Sequence, residues 1–415
     1  MKTNRWVELA FLCTIFFVYT IDRAFLGILA IPIQRETGIG DIAFGVLYSA
    51  IFWTYALCVP FSGLVGDRFD RRRIIGIATV LWSVFAFLAG FANGFWSLLL
   101  LVSVAITAPQ TLYGPSANPL IASSHTTTKT LAMSLHQAAF YAGWFASGAV
   151  VAGILSCFGS WRMVYFSFGI IGILLGVAFL FVSGRGSSRA DLSAEKASGA
   201  RATPPLRESF KAFFGCPSAL LAGAGYVLMV FAGCGYGAWG PKFIAQKFGL
   251  TPAAAGTGVM FWHYAASLAA ILVAGSLTDR FVRRWPRFRL VLQVSVLVVG
   301  TPLLAVFGLA NQVAVAFAAA AAFGLVRGLF EANQFLSIFD VVRPDCRASA
   351  IGFVNVLAGT IGALSPILLG VLSSKYGVRG LEIGFSLFGV VILLAAALMS
   401  VSLFHTFKRD RIVET

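Results

Sequence analysis

The sequence predicts an all-α polytopic membrane protein, with about 12 transmembrane helices in two pseudo-symmetric six-helix bundles. Three observations carry this. Hydrophobic residues make up 59% of the 415 positions and charged residues only 11%, too little polar surface to cover a soluble chain of this size. The apolar runs are long and continuous, whereas the strands of a membrane barrel would show short alternating segments. One long polar stretch, 183–211, divides the chain near its middle.

Spans of roughly 20 residues or more are expected near 6–33, 42–62, 74–92, 95–121, 130–155, 162–182, 214–240, 252–278, 288–309, 312–341, 348–372 and 380–405. The first follows MKTNRW, so it imitates a signal peptide. Its apolar run is too long for that, carries Asp22 and Arg23, and has no clear small-residue cleavage site. Spans two and three flank the charged run GLVGDRFDRRRII, and spans eight and nine flank GSLTDRFVRR. The stretch SGRGSSRADLSAEKASGARATPPLRESFK, rich in Ser, Gly, Ala and charge, reads as a flexible linker. The expected organisation is therefore a bundle over 1–182, a linker over 183–211 and a second bundle over 212–415.

Lysine and arginine set the orientation. With the N-terminus inside, the inner segments hold Lys2, Arg5, Arg68, Arg71 to Arg73, Lys129, the basic linker, Arg280 to Arg289, Arg343, Arg347 and Lys408 to Arg411. The outer segments hold only Arg35, Arg162, Lys242, Lys247, Lys375 and Arg379. Both termini are expected to be cytoplasmic and the protein to lie in the plasma (inner) membrane. The net charge of +15 is thus a topology signal spread over short loops, and no nucleic-acid partner is expected. The six cysteines are scattered without a CxxC pair and read as small packing residues.

The halves echo one another. Asp67-Arg68-Phe69 after the second span matches Asp279-Arg280-Phe281 after the eighth, and LAMSLHQAAFYAGWFASG resembles SAIGFVNVLAGTIGALSP. Internal duplication across a central linker marks a secondary transporter. Positive-inside anchoring explains the arginines of the charged runs. It leaves Asp67, Asp279 and the glycines Gly63, Gly66 and Gly275 unexplained. A tight turn between helices calls for glycine, and a carboxylate there can accept from the N–H groups opening a helix. Gly63, Asp67, Arg68, Arg72, Asp279 and Arg280 are therefore read as a conformational latch.

GLVGDRFDRRR resembles the loop signature Gly-x-x-x-Asp-Arg-x-x-Arg-Arg of the major facilitator superfamily, and GSLTDRFVRR its degenerate copy. The resemblance covers essentially the whole chain and implies two bundles rocking around a central cavity. YTIDRAFLGI and LYSAIFWTYALCVPFSGLVGDR are similar to the anion:cation symporter family, and GAWGPKFIAQKFGLTPAAAG also to the neighbouring spinster-like lipid transporters. The fourth span departs from the symporter pattern: it carries no charge where that family has an Arg and a Glu.

Charges inside a bilayer cost roughly 2.5–3.5 kcal/mol each, so those present usually face a cavity or a partner. Asp22 and Arg23 point about 100° apart on their helix; each either pairs with a neighbouring helix, or Asp22 takes a proton and Arg23 a substrate. Arg327 and Glu331 share one face, either as a structural pair or as a switch in which protonation of Glu331 frees Arg327. A histidine side chain in water titrates near neutrality, so His136 and His263 are expected to be either proton carriers or hydrogen-bonded structural residues. The expected substrate contacts are Arg23, Tyr19, Gln110, Tyr113, Asn118, Gln137, Arg327, Asn333 and Asn355; the expected proton-coupling groups are Asp22, Glu331, His136 and His263.

No phosphate loop, zinc spacing or nucleophile elbow is present, so no enzyme activity, metal or cofactor is expected, and uphill transport must draw on an ion gradient. The expected partners are a small-molecule substrate, a coupling ion (the proton) and the lipid bilayer, with the chain acting as a monomer. The leading expectation is a proton-coupled carrier of an organic anion, a carboxylate or sugar acid, because guanidinium grips carboxylates bidentately. The second is a spinster-like carrier of a lysolipid or other amphipathic compound, which the uncharged fourth span favours.

Overall fold

The computed structural model describes residues 4–183, 205–282 and 284–412, without the side chains of Leu64, Asp67, Ser183, Leu206, Ser276, Leu277 and Asp279. Among the described residues all regular structure is helical. Twelve helices are long and apolar enough to cross a membrane: α1 (Arg5–Ile28), α2 (Asp41–Arg68), α3 (Arg71–Ala89), α4 (Phe95–Ser124), α5 (Lys129–Phe158), α6 (Trp161–Ser183), α7 (Pro217–Phe248), α8 (Pro252–Val282), α9 (Phe288–Leu309), α10 (Val313–Phe339), α11 (Pro344–Tyr376) and α12 (Val378–Asp410). Each corresponds to one expected span, with ends shifted by a few residues. Large apolar side chains stay uncovered on the bundle, such as Leu57 (71% exposed), Phe181 (77%) and Phe404 (70%). Water would penalise that surface; lipid does not.

The first span is shorter than expected. α1 stops at Ile28, and a separate helix, Ala30–Thr37, follows and ends on Gly38 in the left-handed region, φ 69°. That short helix carries Glu36, which accepts from Arg162 Nε at 2.9 Å and from Trp161 Nε1 at 2.5 Å. The hydrogen bond from Arg162 holds the Glu36 carboxyl below the usual carboxylate range. This tie is present above that range and is lost as pH falls through the lowered value.

The chain divides into two compact units, Met1–Ser198 with Gly237–Phe261, and Gly199–Tyr236 with Trp262–Thr415. The first unit therefore includes the end of α7 and the start of α8. There Lys242, which reads in sequence as an outer-loop charge, is buried and pairs with Asp41 at the start of α2. It also donates to Gln34 Oε1 at 2.7 Å. Residues 184–204 of the expected linker lie outside the described residues. Its remainder opens a helix, Leu206–Phe214, whose Phe213 is buried and packs on Phe353 of α11.

Within the first unit α6 lies directly on α3. Gly169, Gly172 and Gly176 of α6 face Phe87, Ser83 and Val80, the small-residue spacing that lets membrane helices approach closely. A Cβ at Gly169 would lie 2.6 Å from the Phe87 backbone nitrogen, and backbone cannot turn aside. Gly169→Val is expected to cost about 1–3 kcal/mol by overpacking, read as a lowered unfolding midpoint of the purified protein. An unchanged midpoint would mean that the two helices have slack.

The charged run after α2 differs from its sequence reading. Gly63 and Gly66 lie inside α2 and Gly275 inside α8, so none supplies a turn. A Cβ at Gly63 or Gly275 would meet open space. The turn is Phe69-Asp70, and Asp70 caps the next helix, its Oδ1 accepting from Arg72 N at 2.9 Å. That satisfies one of the orphan N–H groups that open α3.

Candidate functional site

The site in the first unit depends on an irregularity in α4. The helix passes through a π-helical stretch, Leu99–Ile106, then a single turn, Thr107–Gln110, and restarts at Tyr113. Pro109 has no N–H to donate and loosens the ladder at that point, and π-helical bulges are common at functional sites. The break turns Gln110 and Tyr113 toward α1.

Gln110 Nε2 donates to Asp22 Oδ2 at 3.1 Å. Asp22 is buried, and its Oδ1 has no hydrogen-bond partner among the described residues. Arg23 Nη1 donates to the Tyr19 hydroxyl at 2.6 Å, and the guanidinium lies 5.5 Å from the Tyr19 ring centroid and 5.0 Å from that of Tyr55. It makes no ion pair among the described residues. Two aromatic faces and one phenol oxygen hold a cation whose charge is balanced only by the neighbouring carboxylate.

His136 lies deeper. The Tyr113 hydroxyl donates its single proton to Leu12 O at 2.7 Å, so its 2.9 Å contact with His136 Nε2 is one it accepts, which makes that ring nitrogen the protonated one. The ring also stacks on Phe16, centroids 4.4 Å apart and planes 12° apart. Both interactions hold the imidazole in place.

In the second unit Arg327 Nε donates to Glu331 Oε1 at 2.7 Å, one helical turn away on α10. Its Nη1 lies 3.4 Å from both His263 Nε2 and the Tyr264 hydroxyl, and the guanidinium sits 5.3 Å from the Tyr264 ring. His263 Nδ1 faces Ala320 O at 3.3 Å. The carbonyl can only accept, so the proton is on Nδ1, and Nε2 offers its lone pair to Arg327. Each unit thus holds a half-buried arginine against tyrosine rings with an acidic group beside it.

The structure brings Asp22, Arg23, Tyr19, Gln110, Tyr113 and His136 together in one unit and Arg327, Glu331 and His263 in the other. It does not bring every expected residue to them. Asn118 and Gln137 are exposed and make no hydrogen bond among the described residues. Asn333 is buried, donating to Thr278 Oγ1 at 3.3 Å and to Leu329 O at 3.2 Å, where it caps the break that ends the first part of α10. Asn355 is exposed and accepts from the Tyr226 hydroxyl at 3.3 Å. Arg68 and Arg280 are exposed. Arg72 forks onto Glu8 of α1, Nε to Oε1 at 2.5 Å and Nη2 to Oε2 at 3.2 Å. The side chains of Asp67 and Asp279 lie outside the described residues.

Glu8 and Tyr165 do not stand out in the sequence. Glu8 looks like a solvated terminal charge, and a single tyrosine in an apolar run looks like an interface anchor. Only the proximity of a second charge in space marks them.

The chain matches the Major Facilitator Superfamily profile over residues 11–366, and again over 241–411. It is 24% identical over 387 residues to Protein spinster of Drosophila melanogaster, covering 89% of this chain but 62% of that protein, less than two thirds of its length. It is 24% identical over 375 residues to the hexuronate transporter of Bacillus subtilis (strain 168), covering 86% of this chain and 85% of the relative. A bacterial homolog to the human lysosomal transporter Spinster, solved in an inward-facing and unoccupied conformation, matches with a TM-score of 0.85 at 20% identity over 100% of both chains. At that identity the likeness establishes the fold alone. With twelve apolar spans and a profile match over most of its length, this integral, multi-pass membrane protein belongs to the major facilitator superfamily.

Proposed function

We propose that the protein is a secondary active transporter of a small organic anion, a carboxylate or sugar acid, working by alternating access and coupled to protons. The observation that carries this reading is Arg23: a guanidinium inside a span, held by Tyr19 and Tyr55 and joined to no carboxylate by an ion pair among the described residues. A cation in the bilayer is costly, and one left with donors to spare suits a bidentate anionic ligand. Asp22 beside it is the proton acceptor. Glu331 is the second: once protonated it no longer holds Arg327, which is then released to bind an anion. Asp67 and Asp279 keep the role of conformational latches in this reading, with both termini cytoplasmic and the chain in the plasma membrane. The names of relatives that carry hexuronates and galactarate or D-glucarate support the substrate class.

A second reading, transport of a lysolipid or similar amphipathic compound, draws on α4. That helix has no charged residue, and the walls around Arg23 are aromatic. Protein spinster is similar over 89% of this chain.

Proteoliposomes separate the two. A gradient of one pH unit stores about 1.4 kcal/mol per proton, enough for about tenfold accumulation. Labelled D-glucuronate, a hexuronate, is expected to accumulate on that scale when the outside is acidic. Glu331→Gln is expected to abolish the accumulation while leaving exchange at equal pH. Glucuronate uptake indifferent both to the gradient and to Glu331→Gln would sink the anion reading. Uptake of labelled lysophosphatidylcholine in its place would establish the second.

A further inference from the structure

Of the side-chain polar atoms in the first unit that are buried without a hydrogen-bond partner among the described residues, two line the same cleft. They are Asp22 Oδ1 and the Tyr165 hydroxyl of α6. Tyr165 is 1% exposed and Asp22 9%. The cleft has three further polar walls, Arg23, Thr107 and Gln110; its remaining lining is aliphatic. The room inside for a water-sized molecule is ≈ 10 Å³, about one water. An unpaired buried carboxylate oxygen and an unpaired buried phenol are each costly. Here they share the one space in which a single small polar occupant would satisfy both.

We infer that this cleft holds one water molecule joining Asp22 Oδ1 to the Tyr165 hydroxyl, which makes Tyr165 the positioning residue for the proton on Asp22. The inference rests on the reading of Asp22 as a coupling carboxylate. When Asp22 is ionised, the water donates to Oδ1 and accepts from the Tyr165 hydroxyl. When Asp22 is protonated, Oδ1–H donates to the water, and Tyr165 remains a phenol throughout. The site takes water rather than a metal cation because Arg23 already supplies a positive charge on one wall. The charged and titratable groups around Asp22 are few. Arg23 and Tyr19 lie on its own helix, and Tyr165 comes from α6. Tyr48 and Tyr55 of α2 stand within electrostatic reach of Arg23, His136 of α5 is turned to Tyr113 and Phe16, and α4 presents only the uncharged Gln110 and Thr107.

Infrared titration of the purified full-length protein tests this without a substrate. The C=O stretch of the protonated carboxyl group is followed between about pH 5 and pH 9, and the Asp22 band is identified by its loss in Asp22→Asn. Hydrogen bonds to the ionised form lower a carboxyl pKa, so removing the phenol that fixes the water raises it. Tyr165→Phe is therefore expected to move the Asp22 midpoint up by about one pH unit. If Asp22→Asn removes no titrating band, the reading of Asp22 as the coupling group fails. If the band is there but titrates identically in Tyr165→Phe, that reading survives and the bridging water is overturned. A midpoint that moves when sodium replaces choline in the buffer identifies a sodium ion as the occupant and also overturns it. Should Tyr165→Phe not fold, the wild-type protein suffices: protonation of Asp22 is expected to shift a water O–H band that is sensitive to oxygen-18 water, and absence of that band overturns the inference.

Discussion

Glu8→Ala is expected to lower the unfolding free energy by about 2–3 kcal/mol. Glu8 lies in the first turn of α1, where its charge also suits the helix dipole. Its carboxylate takes both prongs of the Arg72 guanidinium, and Ser124 Oγ at the end of α4 approaches Oε2 at 3.4 Å. One buried side chain thus joins three helices. Breaking a fully buried pair by deleting one partner costs roughly 3–5 kcal/mol. Arg72 keeps 21% of its side chain exposed against 4% for Glu8, so water recovers part of that. Unfolding of Glu8→Ala, Arg72→Ala and the double variant in one detergent gives the coupling between the two. The double variant is expected to lose less than the sum of the singles. A single-variant loss within about 0.5 kcal/mol of zero, in the range of an ordinary surface substitution, would show that the fork is only a surface contact.

The same residue shows where sequence reading stops. Hydropathy finds all twelve spans because each must carry its own solvent signature, independent of its neighbours. It finds Asp22, Arg23, Arg327 and Glu331 for the same reason: a charge inside an apolar run breaks a rule that is local. Glu8 breaks none. It stands at the very start of the first expected span, three positions after Arg5, where a charge reads as solvated, and its burial comes from Arg72, 64 positions away. Lys242 is similar, since it sits where an outer loop is expected and its buried charge is met by Asp41 and Gln34, which are distant in sequence. Gly63 errs in the opposite direction, because a glycine beside charged residues reads as a turn, but α2 runs five residues further, to Arg68. Tyr165 is the hardest case. A phenol in an apolar run gives no local sign that its hydroxyl shares a cleft with a carboxylate. Two of the nine expected substrate contacts, Asn118 and Gln137, have the right chemistry but stand exposed and make no hydrogen bond to the others among the described residues. Composition predicts which residue types a site needs, and only the helix rotation decides which of them reach it.

Arg23→Gln is expected to weaken binding of D-glucuronate by roughly 1.5–3 kcal/mol, the range of a hydrogen bond to a charged group, which is about 10- to 150-fold in Kd. The reasoning is that Arg23 spends one N–H on Tyr19 and its two faces on Tyr19 and Tyr55, which leaves further donors of a rigid fork for a carboxylate. Glutamine keeps a donor but loses the charge and the fork. Arg23→Lys keeps the charge without the fork or the flat surface that stacks on two rings, so it is expected to fall between glutamine and the wild type. Stability discriminates binding from folding. Removing a half-buried cation relieves a desolvation cost, and Asp22, the proton acceptor of this reading, can take up a proton once its neighbouring charge is gone, so the unfolding midpoint of Arg23→Gln is expected to stay level or rise while affinity drops. Titration calorimetry with D-glucuronate and a thermal scan on the same preparations give both numbers. Equal affinity in Arg23→Gln and wild type would remove Arg23 as the anion's anchor. A fall in midpoint that parallels the loss of affinity would instead assign it to packing between α1 and α2, because a ligand anchor and a structural strut differ in which of the two quantities they move.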